Sequence, residues 1–217
     1  MPDIEKKQIA FNRVVRTSPI RYIVIHDTQN VKKGANADSH FKYFNGGNRN
    51  SSADFFVDDT KVLQVNDYTK FCTWQVGDGK GKYGITNQNS IGIEICVNAD
   101  GDYDKAFASA VELTKYLMAE LNIPAEQVVR HYDASRKNCP ASMSADSWLM
   151  WEKFKEKIME KKFKDTKGHF AENAIEELYN MGVVNGVSDT EFAPDRAATR
   201  GEVAVIARNL IRYITGE

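Results

Sequence analysis

Arg21–Thr28 reads RYIVIHDT and Ser90–Asn98 reads SIGIEICVN. Both runs are short, rich in β-branched residues and closed by polar ones, which is how buried strands read. Working outward, Ala37–Phe44 reads as a helix halted by Asn45-Gly46-Gly47. Ala53–Asp58 and Lys61–Val65 flank the turn residues Asp58-Asp59-Thr60 and predict a hairpin, and Phe71–Val76 predicts a further strand. The Gly-rich stretch 77–89 predicts a loop, of a length that in compact domains is usually functional. Tyr103–Leu121 carries Phe107, Val111, Thr114, Leu117, Met118 and Leu121 at helical spacing. Gln127–His131 predicts a last strand entering a loop, and Trp148–Ile158 another amphipathic helix. Strands, crossover helix, strand and helix in that order predict an α/β fold, a mixed central sheet flanked by helices.

The 217 residues are 42% hydrophobic, with 11 Phe, 9 Tyr and 3 Trp, which excludes a disordered or fibrous chain. The apolar runs are too short for a membrane span, which needs roughly 20 residues. With 29 basic and 30 acidic residues, no basic field points to nucleic acid. Three cysteines cannot all pair, so no disulfide framework is expected. Met1-Pro2-Asp3-Ile4-Glu5 lacks the charged-then-apolar pattern of a signal peptide. The expectation is synthesis in the cytoplasm, with any outside role needing another exit route.

After Glu160-Lys161-Lys162 the pattern changes. Phe170, Ala174, Leu178 and Met181 mark one helix, stopped by Gly182. Thr199-Arg200-Gly201-Glu202 is a capping box leading into the apolar stripe Val203, Ile206, Ala207, Leu210 and Ile214. Two short helices predict a small α-helical C-terminal unit, near the lower size limit for a core of its own.

Four histidines are present. His26 stands at the end of one predicted strand and His131 at the end of another, with Cys139 eight residues further on. Two imidazoles and one thiolate, with a fourth position open to water, is a known catalytic zinc arrangement. The same residues also read as a satisfied strand-end histidine and a small buried cysteine. Glu94 lies among isoleucines, where a carboxylate is costly unless it is paired or able to change protonation. It reads either as a general base or as an edge-strand glutamate facing solvent.

YIVIHDT, SIGIEICVN and RHYDASRKNCP at Arg130–Pro140 resemble the zinc-dependent N-acetylmuramoyl-L-alanine amidases, the type-2 family of endolysins, autolysins and peptidoglycan recognition proteins. The resemblance covers roughly Ile20 to Ile158. It implies that His26, His131 and Cys139 bind Zn²⁺, that Glu94 is catalytic, and that Lys137 stabilises an oxyanion. Lys137 also reads as a solvated loop lysine. Trp74 and Gln75 fall where the family contacts substrate, although many members carry histidine at the position of Gln75. The family's zinc-proximal tyrosine is missing from Ser52-Ala53-Asp54-Phe55, which leaves Asp54 as a candidate polar substitute.

The segment from Phe163 onward resembles an S-layer homology repeat, with Phe170 in place of the usual tryptophan and Gly201 in place of alanine. That resemblance implies binding to an anionic secondary cell-wall polymer, through Arg200 and Asp165. Arg200 reads equally as a solvent-facing arginine, and His169 as structural. A single repeat must dock on its own catalytic domain or self-associate, and a homo-oligomer through 163–217 is the expectation.

The combined expectation is a catalytic domain at 1–160 and a wall-binding repeat at 163–217. The chain is expected to cleave the N-acetylmuramic acid–L-alanine bond of peptidoglycan after release to the wall, as an endolysin or autolysin. A non-catalytic peptidoglycan-binding module and a muropeptide-recycling amidase are the alternatives. The first is opposed by Cys139, and the second by the repeat.

Overall fold

The computed structural model describes residues 2–216. It divides into two compact units, 2–158 and 159–216.

The first unit is built on a mixed sheet. In chain order its elements are β1 (Ile4–Lys6), β2 (Arg13–Val15), β3 (Tyr22–Asp27), α1 (Ala37–Asn45), β4 (Phe55–Val57), β5 (Val62–Gln64), β6 (Phe71–Thr73), β7 (Ser90–Ile95), α2 (Tyr103–Leu121), β8 (Val128–Arg130), α3 (His131–Ser135) and α4 (Ala145–Met159). Six strands form the main sheet in the order β1-β5-β4-β7-β3-β8, while β2 and β6 pair separately. The β4–β5 hairpin is antiparallel, and β3 runs parallel to both β7 and β8. The predicted hairpin, the two central strands and the long helix all form. The short β1 and β2 are absent from the sequence expectation.

Strand alternation sorts the side chains. Ile23, Ile25, Ile91, Ile93 and Phe55 turn to one face and pack with Leu113 and Leu117 of α2 and Trp151 and Phe154 of α4. Full burial of each such side chain is worth about 1.5–3 kcal/mol. Phe56 and Leu63 pack elsewhere, against Ala37 of α1, and Val24 packs with Val76, Ile85 and Ala134. Val24 shares its face with His26, two residues on, and in register across β7 lie Gly92 and Glu94. That face carries the chemistry.

Local signals set the helix ends. Asp102 caps α2 by accepting from the Lys105 backbone N–H, and Asn122 closes it in a left-handed conformation. The helix foreseen at 148–158 is α4, whose residues Asp146, Ser147 and Trp148 have positive φ. His131 begins α3 rather than leading into a loop.

The second unit carries α5 (Glu172–Asn180) and α6 (Arg200–Thr215). The capping box forms. The Glu202 N–H donates to Thr199 Oγ1 at 3.2 Å, and the Thr199 N–H donates to the Glu202 carboxylate at 2.7 Å. At 16 residues α6 is longer than the short helix expected. Among the described residues, no helix is long and apolar enough to cross a membrane.

Candidate active site

Three parallel strands bring the candidate ligands together. His26 is the fifth residue of β3, and the pairing of β3 with β8 ends at Ile25–Arg130, so that His131 emerges beside it. The two rings stand edge to face with centroids 4.7 Å apart. Cys139 returns to this point because the Tyr132 N–H donates to its carbonyl at 3.0 Å. One ligand atom from each of His26, His131 and Cys139 lies within 4.8 Å of the other two, and all three residues are buried. Cys139 Sγ is 3.7 Å from His26 Nδ1. Tetrahedral Zn–N and Zn–S bonds of the usual length imply a separation of about 3.6 Å for such a pair.

A second observation supports a cation at this point. His131 Nδ1 is buried and has no hydrogen-bond partner, an arrangement that is costly unless something fills it. Burial, helped by the neighbouring His131 ring, holds the His26 pKa well below the ordinary histidine value. A neutral imidazole is the form that ligates. Burial also pushes the Cys139 thiol up, so that ligation at this site would release its proton. The residues fit a metal.

Glu94 sits opposite His26 across β7. Since β7 lies between β4 and β3, the alternative of an edge-strand glutamate is removed. The residue is only partly covered, yet its Oε2 is buried and unpartnered. Burial and the nearby Asp27 carboxylate raise its pKa to about 8, against a pull from Lys137. A carboxyl poised there can take up and return a proton near neutral pH.

Lys137 is exposed, and its charge is felt by His26, His131, Asp78, Glu94 and Cys139. Asp27 is buried, and one of its oxygens accepts from the Ser142 N–H at 2.5 Å. That bond ties β3 to the segment after Cys139.

Trp74 is half-buried and immediately precedes Gln75. Gln75 is buried, and its amide is committed to His26 Nε2 at 3.0 Å and Ser90 Oγ at 3.2 Å. Asp54 is likewise committed. It is fully buried and accepts from Asn66 Nδ2 (2.7 Å), Thr73 Oγ1 (3.0 Å) and the Gly92 N–H (2.8 Å). It braces β4 to β7 and does not replace the missing tyrosine. Asp78, on the 77–89 loop, was not singled out by sequence. Its carboxylate meets His131 Nε2 at 2.8 Å. Only the length of that glycine-rich loop hinted at a function.

In the second unit, Asp165 is exposed at the surface. Its carboxylate accepts from the Phe192 and Ala193 N–H groups at 2.7–3.1 Å, bracing the loop before α6. Arg200 is exposed in the first turn of α6. His169 meets Asp195 at 3.3 Å and accepts from the Ala171 N–H, a structural arrangement.

A family model described as N-acetylmuramoyl-L-alanine amidase matches residues 16–142, more than half of the chain. The chain belongs to this family. A second model, the S-layer homology domain, matches residues 162–204. Among curated relatives, the N-acetylmuramoyl-L-alanine amidase CwlH of Bacillus subtilis is 43% identical over 127 residues, covering 58% of this chain and 49% of that protein. The amidase XlyA of the same organism is 44% identical over 130 residues, covering 58% of this chain and 41% of XlyA. The chain thus spans less than half the length of these relatives. The solved catalytic domain of XlyA superposes with a TM-score of 0.65 at 40% identity, covering 72% of this chain and 99% of that domain. The family read from the sequence motifs and the α/β fold class are both met.

Proposed function

We propose that the chain is a zinc-dependent amidase that hydrolyses the bond between the lactyl group of N-acetylmuramic acid and L-alanine in peptidoglycan. The observation that carries this is the convergence of His26, His131 and Cys139, with the buried, unpartnered carboxyl oxygen of Glu94 on the neighbouring strand. When bound by these three residues, Zn²⁺ supplies Lewis acidity toward water and the scissile carbonyl. Glu94 takes the proton of the attacking water and returns it to the departing alanine nitrogen. Lys137, projecting from the loop that carries Cys139, offers positive charge to the developing oxyanion. The family resemblance supports Trp74, a half-buried residue next to Gln75 in the chain, as a substrate contact.

For the whole protein we infer a catalytic domain ending near residue 160 and a wall-binding repeat at 163–217. The S-layer homology match supports anchoring to an anionic secondary cell-wall polymer, with Arg200 as the exposed cationic contact. Val203, Leu210, Ile211 and Ile214 are more than 40% exposed along α6, which supports self-association through the tail. An endolysin or autolysin acting at the wall of a Gram-positive-type bacterium fits these parts.

The test is a digest of purified cell walls with metal analysis of the same preparation. One Zn²⁺ per chain and newly freed L-alanine amino groups are expected, and both are lost in Cys139→Ser. A metal-loaded protein that binds walls but frees no alanine amino groups would favour the non-catalytic binding module.

A further inference from the structure

One loop reaches both candidate imidazole ligands from behind. Gln75 meets His26 Nε2 at 3.0 Å, and Asp78, three residues on, meets His131 Nε2 at 2.8 Å. We propose that Gln75 and Asp78 are positioning residues that set which ring nitrogen each histidine presents to the metal. The inference rests on the zinc reading of the site and goes beyond it.

The polarity of the His26 contact follows from its neighbours. Ser90 Oγ has one proton, and it lies 2.6 Å from the Thr86 carbonyl, which can only accept. Ser90 Oγ must therefore accept from Gln75, which turns the NH₂ end of the amide toward Ser90. The carbonyl end then faces His26, so Nε2 carries the proton and Nδ1 keeps its lone pair. That Nδ1 is the atom 3.7 Å from Cys139 Sγ. On His131 the logic is shorter, because a carboxylate accepts only. Nε2 is again the protonated nitrogen, and the buried, unpartnered Nδ1 is the free one. Each histidine thus keeps its Nδ1 lone pair free, and that of His26 lies on the side of Cys139.

The backbone is shaped to allow this. A Cβ at Gly92 would lie 2.0 Å from Gln75 Oε1, and a Cβ at Gly79 would lie 2.2 Å from the Ala134 carbonyl oxygen. The first glycine admits the Gln75 amide over β7. The second lets the loop carrying Asp78 close on α3. The Gln75 N–H is itself fixed by Asn87 Oδ1 at 3.0 Å.

Hydrogen-bond partners behind metal ligands typically contribute 10–100-fold in affinity. The two positions differ in exposure. Gln75 is buried, whereas the Asp78 side chain is 48% exposed, so water can stand in for its carboxylate. Competition against a chromophoric chelator, with Zn²⁺ as the probe, should show Gln75→Met weakened nearer hundredfold and Asp78→Ala about tenfold. Gln75→Glu, which keeps an acceptor toward His26, should stay within a few-fold of the parent. Thermal unfolding of the metal-free proteins separates this from a structural role, which would lower stability and leave the affinity of folded protein unchanged. Zinc affinity within twofold of the parent for folded Gln75→Met overturns the proposal. If that variant does not fold, unchanged affinity in Asp78→Ala overturns it equally. A parent chain that binds no zinc would instead overturn the metal reading.

Discussion

Gly92→Ala tests the packing behind the site without touching a ligand. The three atoms nearest to the added Cβ all belong to Gln75, at 2.0, 2.6 and 3.3 Å. The amide must swing away, breaking its bonds to His26 Nε2 and Ser90 Oγ. Two lost side-chain bonds at about 0.5–1.5 kcal/mol each, with buried groups left unpaired, amount to about 2–4 kcal/mol. Replacing a strand glycine returns about 0.5–1 kcal/mol, so the net loss is about 1–3.5 kcal/mol. In a Gln75→Ala background the bonds are already gone and the space is open. There the same substitution should be neutral or slightly stabilising. Urea denaturation of the four chelator-treated proteins yields the coupling energy. An equal cost of Gly92→Ala in both backgrounds would refute the contact and the account of why glycine stands there.

Glu94→Gln should keep its zinc and its fold while turnover on purified walls falls about 10²–10⁴-fold, and near-normal turnover would reassign the proton carrier. Asp38 bridges Lys7 and Lys61, which hold its pKa down to about 2. A depressed carboxyl contributes stability above its ordinary pKa near 4 and loses it as pH falls toward 2. Asp38→Asn should therefore cost about 1 kcal/mol at pH 6, allowing for solvent screening, and only a small part of that at pH 2, as read by urea midpoints across that range. Arg200→Ala should weaken pelleting with purified walls and leave thermal stability unchanged, whereas Asp165→Ala should lower the melting temperature of the tail.

The parts legible in the sequence were those whose own side chains carry the signal. β3 and β7 are buried on both faces and read as β-branched runs. α2 spans Tyr103–Leu121 as its apolar spacing foretold. β1 and β2 are three residues each and largely exposed, and they exist because Val62–Gln64 and Phe71–Thr73 pair with them. The grouping of His26, His131 and Cys139 was legible from motif and strand-end position. The committed state of Gln75 was not, because it depends on Ser90 and Gly92 meeting it from another strand. Glu94 stayed ambiguous until sheet order placed a strand on each side of it. Asp165 has the type and position of a surface contact, and only the fold shows that two backbone N–H groups also donate to it.

The six-residue parallel pairing of β3 with β7 has a consequence for how the chain tolerates change. Because successive side chains alternate sides, sliding one strand by a single residue would set an isoleucine opposite His26 and turn Glu94 into the apolar layer. The penalty is paid by Ile91, Ile93 and Ile95 together, so no single drifting loop can alter the spacing between ligand strand and acid. Mutation can reshape the rim, exchange loops and change what the mouth accepts, while the ruler beneath keeps its divisions.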